Sequence, residues 1–194
     1  MNGGEQRANA GLNAAEIIES PLDALLLFGV EPDGDLSCVE DAADKLAAQA
    51  FVTAFTPFVT DALERCADLL LPMGTFAETS GTFINCEARW QSFAGIANPV
   101  GEARPGWKIL RVLGNLLDAP GFDYESSEEV RDELVAKLGD IAPDNSYTGK
   151  KPLRRVNGED AAAEQVDVSI YQVDGLVRRA VALQLTPQAK RDAP

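Results

Sequence analysis

A parallel α/β sheet with flanking helices is the fold class this sequence predicts, and three observations carry the prediction. Short apolar runs at 24–29 (ALLLFG), 51–55 (FVTAF) and 68–71 (DLLL) have the length and density of strands buried in a parallel sheet. Helix-like stretches lie between them, and strand–helix–strand–helix–strand order with short connections implies right-handed crossovers. Beyond Pro72 the chain turns polar and then amphipathic, so an irregular and mostly helical C-terminal part is expected.

Taken in order, residues 1–10 are polar and Gly-rich and read as a frayed start. A short helix is expected within 11–19, with Leu12, Ile17 and Ile18 as its apolar positions and Pro21 as its stop. The run at 24–29 is continuous rather than alternating, which suits a strand covered on both faces. Glu31-Pro32-Asp33-Gly34 is a breaker-rich turn. Ser37 stands three residues before Glu40, the capping-box spacing, ahead of a helix to about residue 50. Pro57 closes the second strand, 60–66 form another short helix, and 68–71 are the third strand. Three strands are few for a stable open sheet, so upstream sheet partners are expected to be missing.

Residues 82–84 and 89–93 are expected to form two short strands or an irregular hairpin. Pro105 and Trp107 then mark the start of a helix to Leu117, with Leu110, Leu113 and Leu117 on one face and Arg111 opposite. Pro120-Gly121 stops it. Ser126 and Glu129 repeat the capping-box spacing before a helix whose Val130, Leu134 and Leu138 recur every four residues. Gly139 falls where an αL cap is expected. The stretch 140–164 is poor in apolar residues and reads as extended. Residues 166–173 alternate like a half-buried strand, 174–179 read as a short helix, and the tail from Thr186 reads as loose. Two domains are expected: 1–118, the α/β part, and 119–194, a C-terminal extension with one helix, a polar linker and a short strand.

Composition excludes several function classes. The formal charge is −14, from 31 acidic and 17 basic residues, and such a surface repels nucleic-acid backbones and anionic membranes. Nine carboxylates and one base fall between Glu16 and Lys45, which reads as a solvated acidic face. Basic residues gather later, at Lys150, Lys151, Arg154 and Arg155. The longest apolar run, 24–30, is seven residues, far short of the roughly 18 needed for a membrane span. No basic start followed by an apolar core and a small-residue cleavage site is present, so an intracellular protein without a signal peptide is expected.

With no histidine in the chain, Ser–His and Cys–His catalysis and histidine-bound zinc hydrolase sites are ruled out for these residues. Neither G-x-G-x-x-G nor a Walker-type phosphate loop follows any strand. The three cysteines, Cys38, Cys66 and Cys86, are widely spaced and contain no C-x-x-C, so no disulfide framework or local cluster ligand set is expected. Cys86 reads as a small packed residue. Glu78, Glu87 and Glu102 are expected to accept backbone N–H bonds or to pair with Arg89 and Arg104, rather than to act as an acid–base pair. Gly81 and Asn85 suggest backbone roles, through positive φ and through turn hydrogen bonds. Trp90 and Trp107 read as packing anchors.

One stretch adds a resemblance. Ala67-Asp68-Leu69-Leu70-Leu71-Pro72 is followed by Glu78, Gly81, Thr82, Asn85, Glu87, Arg89 and Gln91, then by Gly101-Glu102-Ala103-Arg104-Pro105 and Trp107. This resembles the molybdopterin oxidoreductases, where a strand ending A-D-V-V-L-P leads to E-x-x-G-T-x-x-N-x-E-G-R-x-Q and then G-E-A-R-P-x-W. The wording is most similar to one branch, the large iron–sulfur subunit of bacterial NADH:quinone oxidoreductase, respiratory complex I. The resemblance implies a partial molybdopterin-oxidoreductase-like domain, a structural C-terminal part of such a subunit with no catalytic and no metal-binding residues of its own. It implies no cofactor in this chain, iron–sulfur clusters held elsewhere in the parent subunit, other peripheral-arm subunits as partners, and a place on the cytoplasmic side of the bacterial inner membrane. Self-association is expected of an isolated fragment. In the molybdenum enzymes of the family this region lies near the pterin, which implies pterin-facing positions for Thr79, Gly81, Asn85 and Gln91. The alternative is therefore a fragment of an active molybdopterin-dependent oxidoreductase of formate or nitrate type. A third is a stand-alone adaptor with an acidic binding face. Ala88 stands where the family has Gly, a change that removes backbone freedom from the loop.

Overall fold

The computed structural model describes residues 11–36, 39–139 and 170–191. Of these, 11–36, 39–84 and 90–139 form one compact unit, while 85–89 and 170–191 belong to a second.

The first unit opens with α1 (Ala14–Glu19), whose start is a reciprocal box. Asn13 Oδ1 accepts the Glu16 N–H at 2.9 Å, and the Glu16 carboxylate accepts the Asn13 N–H at 2.8 Å. Next come β1 (Leu25–Phe28), the short helix α2 (Pro32–Asp35), α3 (Ala42–Ala47) and β2 (Val52–Thr56). They are followed by α4 (Asp61–Cys66), capped by Thr60, and by β3 (Leu69–Pro72). The strands are parallel in the order β1-β2-β3, with Leu25 opposite Val52 and Thr53 opposite Leu69.

Because spatial order equals chain order, both right-handed crossovers lie on one side of the sheet. There Ile18, Leu46 and Leu63 pack against Leu27, Val52 and Ala54, and Leu46, Leu63 and Val52 are fully buried. Polar side chains hold the layers in place. The Asp68 carboxylate accepts the Val52 N–H at 2.7 Å, and Gln49 bonds Leu22 N–H and the carbonyls of Ile18 and Ser20.

The same topology overturns one expectation. β1 is an edge strand whose second face is only partly covered: Leu26 and Phe28 are 54% and 43% exposed, although Phe28 packs against Phe55 at 5.9 Å. The helix expected from Ser37 starts instead at Ala42, after Asp41 in the left-handed region (φ 55), and it ends at Ala47. Ser37 itself lies outside the described residues. Residues 31–34 give the helical turn α2 in place of an open turn.

Past β3, a 3₁₀ turn at Phe76–Glu78 leads to an antiparallel hairpin, β4 (Gly81–Ile84) with β5 (Trp90–Phe93). Two helices complete the unit, α5 (Gly106–Leu116) and α6 (Ser127–Leu138). The cap of α6 is offset from the expected box. Ser126 accepts the Glu129 N–H, but the Glu129 carboxylate reaches back to Glu125 N–H. Gly139 takes φ 66 and ψ −163, a conformation that only glycine adopts readily, though not αL. Leu117 is 70% exposed, so the apolar face expected along α5 is only partly covered. Arg111, expected opposite that face, is half-buried and donates to the Tyr124 carbonyl at 2.9 Å.

In the second unit, Ile170–Gln172 is a 3₁₀ turn where the alternation predicts a strand; 140–169 lie outside the described residues. Asp174 caps α7 (Gly175–Arg178), within the stretch expected to be helical. α8 (Val181–Gln184) follows, and Pro187–Arg191 form α9 in place of a loose tail. Thr186 Oγ1 accepts the Ala189 N–H, and Pro187 opens the helix.

Leu63→Ala should destabilise the chain by about 2–5 kcal/mol in urea unfolding, because its cavity cannot be refilled. Ile96→Ala, at a site 90% exposed, should change stability by less than about 0.5 kcal/mol.

Candidate functional site

The site is built where β3 ends. Gly74 N–H donates to the Arg104 carbonyl at 2.9 Å, and Met73 and Arg104 form a parallel bridge, so the G-E-A-R-P segment is tied to the strand. The excursion between them is gathered by Glu78. Its carboxylate accepts Thr75 N–H (2.8 Å), Thr75 Oγ1 (2.9 Å) and Val100 N–H (3.1 Å). These bonds, the Thr75 amide's first, hold the Glu78 carboxyl below the usual range. Glu78 is thus a backbone clamp, as expected. Glu102 makes an exposed ion pair with Arg104 at 3.9 Å, worth little. The Glu87 N–H donates to Asn85 Oδ1.

A cavity of about 410 Å³ lies at the carboxyl ends of β1 and β3. Its walls include Phe28, Phe76, Phe83, Phe93, Trp90 and Trp107, with Met73, Val130 and Leu134 between them. Phe83 and Phe93 stack at 5.0 Å and 14°. Gly81 lets this happen, since a Cβ there would stand 2.9 Å from the Phe93 ring. Close packing against a ring, not positive φ, is what Gly81 provides; it is absent from the positive-φ glycines.

Thr79 and Gly81 line this cavity. Gln91 is exposed on β5, and Asn85 is exposed in the hairpin turn, where its side chain accepts the N–H groups of Glu87 and Arg89. The four positions are therefore not presented as one set. Cys86 is exposed, which corrects the reading of a packed residue; Cys66 is the buried one, and burial pushes its thiol up. Ala88 holds φ 64, the left-handed conformation, without a glycine.

The apolar walls are hard to see in the sequence because they are distributed over three strands, a turn and two helices. One signal is present there. Phe76, Phe83, Trp90, Phe93 and Trp107 crowd into a segment otherwise rich in Thr, Gly, Asn and Glu.

A profile of the molybdopterin oxidoreductase family matches residues 2–116, more than half of the chain. The chain belongs to the molybdopterin oxidoreductase family. A protein named "Putative formate dehydrogenase" in Staphylococcus aureus strain USA300, and its counterpart in strain NCTC 8325, are each 32% identical over 147 residues. That match covers 71% of this chain but 14% of the relative. The mitochondrial NADH-ubiquinone oxidoreductase 78 kDa subunit of Candida albicans is 42% identical over 77 residues, which cover 40% of this chain and 10% of that protein. The chain thus spans about a seventh or less of the length of these relatives.

The family implies a molybdopterin cofactor, a hydrogen-bonding heterocycle that carries phosphate. The lining does not fit it. Ser80 and Ser127 hydroxyls bond each other at 2.7 Å, Thr82 Oγ1 meets Ser92 Oγ at 3.0 Å, and Thr79 donates to the Ser80 carbonyl. Arg131 is committed to Asp132 at 2.7 Å and to Ser92 at 3.1 Å. Few polar groups remain to recognise a pterin edge or to offset a phosphate charge. Among the described residues, no group of three or more His, Cys, Asp or Glu is placed to hold a metal ion.

Ala88→Gly should stabilise the chain by about 1 kcal/mol in denaturant unfolding, by relieving a left-handed alanine. Because the folded Glu78 carboxyl titrates below its ordinary value of 4.5, its stabilisation is present above that pH and is lost as pH falls through the depressed value. Glu78→Gln should therefore lower stability at neutral pH and flatten the acid limb of the stability–pH curve.

Proposed function

We propose that this chain is a structural domain from the C-terminal part of the large iron–sulfur subunit of a bacterial NADH:quinone oxidoreductase, with no chemistry of its own. The observation that carries this reading is the mutual satisfaction of the cavity's polar groups, which leaves apolar walls suited to packing and no evident acid–base or ligand set. The 42% identity to a complex I subunit supports the branch. In this reading the iron–sulfur clusters belong to other parts of the parent subunit, and the partners are other peripheral-arm subunits on the cytoplasmic side of the inner membrane. Among the described residues no helix is long and apolar enough to cross a membrane, in keeping with a peripheral position.

A second reading, part of an active molybdopterin-dependent oxidoreductase of formate type, is favoured by the longer match, 71% of the chain against 40%. Elemental and pterin analysis of the purified chain separates the two. The structural reading expects no stoichiometric molybdenum, iron, sulfide or pterin, together with self-association through the β1 edge, which pairs with no further strand among the described residues. Bound molybdenum or pterin overturns it in favour of the second reading. Leu26→Lys should shift the mass in solution toward the monomer, measured by light scattering. A wild-type chain that is already a monodisperse, cooperatively melting monomer counts against the fragment reading.

A further inference from the structure

We draw no further inference here: the strongest candidate, the loop surface between β5 and α5 that presents Ile96 and Val100 at 90% and 78% exposure, is an unpartnered apolar patch, and nothing in the structure shows what covers it.

Discussion

The carboxylate of Glu78 is the interaction on which the distinctive half of the first unit depends. It accepts two groups of Thr75 and the amide of Val100, so one side chain closes a loop that contains the whole β4–β5 hairpin. Hydrogen bonds to a charged acceptor are worth roughly 1.5–3 kcal/mol apiece when shielded, and less at this half-exposed position. The entropy of that long excursion is offset at one point near its base, beside the Met73–Arg104 bridge. From there the hairpin and α6 can lean on each other, through Ser80 and Ser127 and through Arg131 and Ser92. The aromatic cavity is a product of that arrangement.

How far the chain can be read in advance depends on the kind of signal each residue carries. Leu25, Leu27, Val52 and Ala54 sit in dense apolar runs because one face of a parallel sheet demands it, and those strands are legible. Burial of the other face of β1 is not, since an edge position depends on strand order. The helix expected from Ser37 begins later, at Ala42, because Asp41 takes the left-handed conformation just before α3, which the S-x-x-E spacing does not signal. The alternation that ends at Val173 is too brief to separate a strand from the 3₁₀ turn at Ile170–Gln172. The start of α9 does carry a signal, a Thr-Pro pair at 186–187 that both caps and opens a helix, although the polar tail around it reads as loose. Within the site, Glu78 is legible as a backbone acceptor from its position three residues after Thr75. The cavity is not, because its walls meet only after the hairpin closes.

The hairpin turn carries its own conformational load. Ala88 holds a positive φ without being glycine, at some conformational cost. Asn85 shares that load by binding two amides of the same turn. Gly81 serves a different need, the close approach of the Phe93 ring.

Strand order equal to chain order also bears on how the sheet assembles. The crossover between β2 and β3 runs through α4 alone and is much shorter than the one between β1 and β2, which carries α2 and α3. Closing the shorter loop costs less chain entropy, by roughly 0.6 kcal/mol for a twofold difference in length. A change in the length of the β1–β2 connection therefore acts on stability only weakly, whereas Leu63, fully buried on α4, is felt by every layer of the sheet.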